Sequence, residues 1–420
     1  MFFYKNDTIK SNIILGGFMN KLKVVILTFS ILLFGLNIIN PYIYAFDKKY
    51  EHEGVAKIYL TGNIENMNDK SDEREVGFNF LSEKVSFIKY AKIKIQGSSS
   101  IRYEKKNYTI KLYNDANFDS KYDVDLGWGE ENKYVLKANW IDKSHSRNIV
   151  SARIVSSASK KYGLFESAPN NGNIDGFPVE VYINGEFLGL YTFNMPKDAW
   201  MLGLDSELGH LAFDADINSD QTFFKKKFSY SDWGLEVGEE TDENLEKFND
   251  LYSFVKNSSD KEFKKNFSKH LNLDAVLNYY VLSEVFLFAD NVGKNMIMIS
   301  YDGEVWYPVL YDLDTSFGAS VYGEFVYSSD SMINFKKSLL WSRFEKLYWN
   351  EIVERYKELR KDIIVLDDIY STIDDFYYSI PHTSFEKENN RWKDIPGFEV
   401  DQMKMYITER VEFLDKYFVN

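Results

Sequence analysis

The sequence predicts an α+β fold of two lobes, one strand-rich and one helix-rich. Three observations lead there. Short alternating runs separated by turns fill the first half. From about Asn244 the apolar residues recur with a helical period. The two kinds of segment are segregated rather than interleaved. A hydrophobic content of 45% over 420 residues is ample for a packed core, as one bilobal domain or two. No internal repeat or low-complexity tract interrupts it.

The N-terminus stands apart. From Met19 the sequence runs MNKLKVVILTFSILLFGLNIINPYIYAF, with Lys21 and Lys23 ahead of an apolar run from Val24 to Ile39 and Ile43-Tyr44-Ala45 behind it. A basic segment, an apolar segment and a small residue in that order form a secretory signal, and an uncleaved membrane anchor is the alternative. Residues 1–45 are therefore set aside, and 46–420 is taken as the working domain. Its strand-rich lobe covers about 50–200 and its helical lobe about 240–420. Export makes the expected location extracytoplasmic, with membrane contact only through the apolar segment. The net charge of −14 argues against nucleic acid as a partner. With no cysteine there are no disulfides, thiolate metal sites or cysteine nucleophiles.

In the first half, Ala91–Gln96 and Tyr108–Leu112 alternate as half-buried strands, with Gly97-Ser98-Ser99-Ser100 breaking the chain between them. Arg147–Ser159 reads as a helix with Ser144 or Ser146 as its N-cap. Val179–Ile183 and Glu186–Tyr191 flank Asn184-Gly185, a pair suited to a two-residue hairpin turn with positive φ at both positions. Asp205, Asp214 and Asp216 fall in a polar connection and read as solvated. Leu245, Phe248, Leu251, Tyr252 and Val255 then share a helical face. Asp274 can cap a second helix running toward Phe288, and most of 336–380 and 400–418 is helical in pattern.

Between these helices lies FADNVGKNMIMISYDGEVWYPVLYDLDTSFG (288–318). Met296–Tyr301 and Val305–Leu310 are strand-like, and a two-residue Asp302-Gly303 loop makes them a hairpin. Tyr301 then faces Glu304, Asn295 faces Leu310 and Asp312 faces Gly293. Pro308, lacking an N–H, belongs on an edge strand or at a bulge. The hairpin brings Asp312 back beside Asn295, with Asp290 just ahead. An Asp, an Asn five residues later and a returning Asp are what phosphoryl transfer on a kinase-type scaffold uses. The first Asp accepts the acceptor hydroxyl proton, and the Asn and second Asp hold Mg²⁺ or Mn²⁺. No His-Arg precedes Asp290, and Asp-Leu-Asp-Thr-Ser-Phe-Gly stands in place of Asp-Phe-Gly. Neither G-x-G-x-x-G nor G-x-x-x-x-G-K-[ST] occurs. The plainer reading is that Asp290 and Asn291 end a helix and Asp302-Gly303 is only a turn.

Four blocks carry a family resemblance: IQGSSSIRYEKKNYTIKLY (95–113), YVLKANWIDKSHSRNIVSARI (134–154), VEVYINGEFLGLYTF (179–193) and the DNVGKN…YDLDTSFG block. With these the chain, over about 55–415, resembles the spore coat protein H (CotH) kinase family. The resemblance implies a minimal protein-kinase-like fold that moves the γ-phosphoryl of ATP to Ser or Thr of coat or surface proteins. It places the catalytic role on Asp290 and the metal on Asn295 and Asp312, with Asp314 a close candidate. Asn194-Met195-Pro196 departs from the family, which often carries an acid there, and Tyr311 replaces a frequent Trp.

A triphosphate also needs cations. Lys105, Lys106 and Lys111 follow the Gly-Ser turn, Lys111 flanked by apolar strand neighbours and Lys106 matching the family's Lys-Lys pair. Arg147 stands at a helix start. These four are the candidate phosphate contacts, each with a solvated surface charge as the plainer reading. The five histidines show no metal-ligand spacing. Two other readings stay open: a metal-dependent glycosyltransferase using Asp312-Leu313-Asp314, and a coat-assembly or binding module without catalysis.

Overall fold

Alternating strands in the first half close on themselves. In the computed structural model, which describes residues 54–97, 100–393, 395–397 and 399–419, the first nine strands are β1 (Ala56–Thr61), β2 (Glu73–Leu81), β3 (Ser86–Gln96), β4 (Asn107–Tyr113), β5 (Val124–Asp125), β6 (Glu130–Glu131), β7 (Lys133–Lys137), β8 (Gly176–Ile183) and β9 (Glu186–Asn194). Seven of them form a closed barrel in the order β1-β2-β3-β4-β7-β9-β8, with β1 and β8 closing it in parallel. The expected signal or anchor lies outside the described residues, as do Ser98 and Ser99 of the Gly-Ser turn. Among the described residues no helix is long and apolar enough to cross a membrane.

The alternation fixes which face is which. Ala91, Ile93 and Ile95 of β3 and Tyr108, Ile110 and Leu112 of β4 point into the barrel. There they meet Phe78, Phe80, Tyr134 and Phe193. Lys92, Lys94, Thr109, Lys111, Lys133 and Lys137, the intervening residues, are left on the outer face. Asn184-Gly185 makes the expected turn, with φ of 50° and 88° and Ile183 opposite Glu186. α1 (Arg147–Lys161) leaves the barrel after β7. Ser146 holds the N-cap position, one of the two serines expected there, but the side chain that accepts at the helix start is that of Asp142. The Asp142 carboxylate accepts from the Arg147 and Ser144 N–H groups and the Ser144 hydroxyl, while Ser146 makes no side-chain cap bond.

The second core is larger and mixed. It joins a four-stranded antiparallel sheet, β11-β10-β12-β13 (Trp233–Val237, Leu211–Ala215, Met296–Ser300, Tyr307–Leu310), to the helices. These are α2 (Ala199–Leu202), α3 (Asp242–Asn257), α4 (Asp260–Asn266), α5 (Leu273–Phe286), α6 (Leu339–Asp362), α7 (Leu366–Tyr377), α8 (His382–Arg391) and α9 (Val400–Val419). Both cores belong to one compact unit, Glu53–Asn420. The α+β class and the strand-rich then helix-rich order agree with the sequence; the barrel closure was not foreseen.

Three local expectations change. β10 occupies the supposed polar connection, because Leu211, Ala212, Phe213 and Ala215 bury in the second core and Asp214 alone needs a partner. Asp205 caps a short turn, and Asp216 is exposed as expected. Asn272, not Asp274, caps α5, and α5 stops at Phe286 with Leu287 left-handed, so Phe288 lies past its end. Finally, the β12–β13 hairpin is offset by one residue: Met296, not Asn295, pairs with Leu310. Asp302 lacks the positive φ that a two-residue turn of this kind demands. Its carboxylate instead accepts from the N–H groups of Glu304 and Val305, opening a wider loop. Pro308 does sit on the edge strand of that sheet.

Candidate active site

A cleft of about 500 Å³ runs between the outer face of β3, β4 and β7 and the end of the four-stranded sheet. Its floor is made by the segments that flank β12 and β13. Asn291 ties them together: its side-chain amide donates to the carbonyls of Asn295 (3.0 Å) and Tyr311 (2.8 Å), one from each segment. The Tyr279 hydroxyl donates to the Asn291 carbonyl and the Trp341 indole to that of Val292. A loop this heavily held to the buried core is fixed in place before any ligand arrives.

Asp290, Asn295, Asp312 and Asp314 all line this cleft. The Asp290 Oδ2 accepts from Asn295 Nδ2 and Lys294 Nζ, both at 3.1 Å. Burial raises the Asp290 pKa and Asp312 adds to this, against Lys294 and the Asn295 bond. Asn295 (φ 55°) and Asp312 (φ 54°) are both left-handed, a conformation that Asn and Asp tolerate better than other side chains. Opposite them is a residue that the sequence did not single out. Lys137, at the end of β7, places Nζ 2.5 Å from Asp312 Oδ1 and 3.5 Å from Asp314 Oδ2. Burial would lower its pKa, but the two carboxylates outweigh that and raise it. Burial likewise works to raise the Asp312 pKa; Lys137 outweighs it and holds Asp312 below the carboxylate range. Asp314 has the poorer share of the ammonium. Burial and then the neighbouring Asp312 push it up to about 7.

α1 secures the carboxylate turn. Asn148 Oδ1 accepts from the Leu313 N–H at 2.9 Å, and Arg147 donates to the Ser316 carbonyl at 2.8 Å. Arg147 thus supports the turn from a buried position and lines no part of the cleft, contrary to the expected phosphate contact. Lys105 is also buried. Its ammonium donates to the carbonyls of Ala138 and Leu190 and to Glu388 Oε1 at 2.6 Å, which uses all three hydrogens. Lys106 donates to the Ile101 and Tyr103 carbonyls and shapes its own loop. Of the four expected cations only Lys111 has an ammonium in the cleft that is not taken by protein. Lys137 carried the same signal as Lys111: a lysine on the outer face of an alternating run, Lys133-Tyr134-Val135-Leu136-Lys137. What sequence could not show is that β7 passes over Asp312.

At the other wall, Asn194-Met195-Pro196 leads out of β9. Lys197 follows, forms ion pairs with Asp214 and with Glu236 (2.8 Å), and lies over the Tyr311 ring. Burial raises the Asp214 pKa to about 6 against the pull of Lys197.

The donor set suits a hard divalent cation. Asp312, Asp314 and Asn295 offer oxygens only, and the two carboxylates share a single ammonium, an arrangement short of positive charge. Among the described residues no group of three or more His, Cys, Asp or Glu side chains could hold a metal ion. Mg²⁺ commonly needs only one or two carboxylates, completed by water and substrate phosphates.

A family model described as CotH kinase protein matches residues 93–414. No curated protein matches the chain.

Proposed function

The chain belongs to the CotH kinase family, and from that premise we propose that it is an ATP-dependent protein kinase acting on Ser or Thr of exported or spore coat proteins. The observation that carries this reading is the meeting of Asp290, Asn295, Asp312, Asp314 and Lys137 at one end of the cleft. In this reading the barrel and the helix-rich part act as the two lobes of a minimal kinase. Asp312, Asn295 and Asp314 hold Mg²⁺ or Mn²⁺, which neutralises charge on the transferring phosphoryl group. Lys137 turns from the carboxylates to the phosphates, supplying the cation that Lys105, Lys106 and Arg147 cannot. Asp290 orients the acceptor hydroxyl and takes its proton. Its Oδ2 is held by Asn295 and Lys294, and its Oδ1 has no partner among the described residues. The basic, apolar and small-residue order of the N-terminal segment supports export.

The experiment uses the full chain with ATP, Mn²⁺ and a Ser-rich acceptor protein. Asp290→Asn keeps the shape and removes the base. It should bind ATP normally and transfer phosphate about 10²–10⁴-fold more slowly. Asp312→Asn should instead lose metal-dependent ATP binding with its fold intact. Near-wild-type turnover by Asp290→Asn would remove it from the mechanism.

A further inference from the structure

The roof of the cleft carries more lysines than its carboxylate end uses. Residues two apart on a strand share a face. Lys94 of β3, Lys111 of β4, and Lys133 and Lys137 of β7 therefore stand together on the roof, and all four line the cleft. The register sets Lys92 directly opposite Lys111, and Lys111 directly opposite Lys133. Like charges in that position destabilise a sheet. Their counter-ions are uneven. Lys137 has Asp312 and Asp314, Lys133 has Asp198 at 2.9 Å, and Lys92 lies 3.8 Å from Glu73. Lys94 and Lys111 have no hydrogen-bond or ion-pair partner among the described residues, although both are half-buried. Two of the acids on the floor, Asp214 and Glu236, are taken by Lys197, and Asp216 is exposed. Glu73 stands across the ladder from Lys94 without forming an ion pair with it, so in a chain of net charge −14 the two unpaired cations of this row are a local feature rather than a consequence of composition.

The row is also displaced from the metal end. Four residues of extended strand separate Lys133 from Lys137, about 13 Å at about 3.3 Å per residue. We propose that Lys94, Lys111 and Lys133 form a second anion subsite in the cleft, remote from Asp312, that takes a phosphate-class polyanion. The subsite stands on the roof geometry; only its link to catalysis rests on the kinase reading. The polyanion has two sources: a free inorganic polyphosphate, or the triphosphate of a nucleotide seated in the reverse sense. In the second case the α-phosphorus faces Asp290. The acceptor oxygen then bonds to that phosphorus, the bond from it to the bridging oxygen of the β-phosphate breaks, pyrophosphate leaves onto the lysines, and the hydroxyl proton passes to Asp290.

The test titrates inorganic tripolyphosphate, in metal-free buffer, into the full chain and into its Lys94→Gln/Lys111→Gln variant. The variant should bind at least about tenfold more weakly, since a charge-assisted contact is worth about 1.5–3 kcal/mol, with an unchanged melting temperature. Equal affinity in the two proteins overturns the subsite. So does a loss seen only in Lys137→Met, which would assign the anion to the carboxylate end. A second arm supplies ATP labelled at either the α- or the γ-phosphorus. Acceptor labelling from the α-position that disappears in the double variant identifies the nucleotide as the source. Tripolyphosphate binding without α-labelling identifies the free ion. Tripolyphosphate binding without γ-labelling of any acceptor sinks the kinase reading and leaves the subsite standing.

Discussion

Lys137 shows how much a single residue decides. Its ammonium is the counter-charge for both Asp312 and Asp314. Lys137→Met removes that charge and, in the kinase reading, a phosphate contact as well. Hydrogen bonds to charged groups are worth about 1.5–3 kcal/mol, so ATP affinity in Mg²⁺ should fall about 10–100-fold. A dissociation constant within a factor of about two of wild type would show that the lysine only balances the carboxylates. His145 makes a different residue-level prediction. It is buried against Phe385, accepts or donates through Nδ1 with Asn139, and has Lys105 and Glu388 nearby. Burial, and then Lys105, push its pKa well below the ordinary value. The folded chain keeps it neutral, whereas the unfolded chain takes up a proton near pH 6.5. Stability is therefore lost as the pH falls below about 6.5. Urea unfolding at about pH 5 and about pH 7.5 measures this difference, and His145→Gln should reduce it. An unchanged slope in the variant would place the acid sensitivity elsewhere.

At the scale of elements, local sequence succeeds where both turn residues take the required φ and fails where a side chain captures the turn's own N–H groups. Asn184-Gly185 takes positive φ at both positions, with the Asn184 side chain held by the Gly62 backbone, and Ile183 pairs with Glu186. Asp302-Gly303 looks equivalent, yet Asp302 captures two N–H groups and widens the loop. The one-residue offset that follows pairs Met296 with Leu310; Asn295, just ahead of β12, donates its N–H to the Ala215 carbonyl, accepts from the Tyr311 N–H, and turns its side-chain amide to Asp290. α1 depends on a cap at a distance. Asp142, five residues ahead of Arg147, accepts from the Arg147 N–H of the first turn and from the Ser144 N–H before it, and through Asn148 the helix then holds Leu313. Asp142→Ala should cost about 0.5–2 kcal/mol, as lost caps do. Thermal unfolding should drop by a few degrees, and nucleotide binding should weaken because the carboxylate turn leans on this helix. Unaltered binding in a destabilised variant would separate the cap from the site.

The whole molecule is clasped from its C-terminal side. α8, contributed by the helix-rich half, lies against the barrel. Its Glu388 meets Lys105 and accepts from the Leu190 N–H at 2.6 Å, while Ser384 and Lys387 meet Glu180 of β8. Gly189 makes room for this, since a Cβ there would lie 2.8 Å from Lys105 Cε. Glu388→Ala would leave the Lys105 ammonium buried without its counter-charge. Breaking such a pair from one side typically costs about 3–5 kcal/mol. Denaturant unfolding should therefore show a large loss in Glu388→Ala, and a much smaller one in the double variant Glu388→Ala/Lys105→Met. Equal losses in both would mean that the ion pair is not what holds α8 to the barrel.

The sequence by itself determined the class, most of the elements and the residues that meet at one end of the cleft. Period-two runs marked β3, β4, β8 and β9, period-3.6 runs marked the helices, and the Asp290–Asn295 spacing with the returning Asp312 and Asp314 marked the floor. All of these are short-range patterns, set by residues within one turn or one hairpin. Tertiary structure decided which cation serves which acid. Lys105, Lys106, Lys111 and Arg147 looked alike in sequence, because a lysine beside apolar neighbours reads the same whether it faces a cleft, a carbonyl or a distant helix. Lys105 finds Glu388, 283 residues away, and Lys137 finds Asp312, 175 residues away. Closure of the barrel and the path of β7 over the floor bring these partners together, and no local pattern encodes a contact across that span.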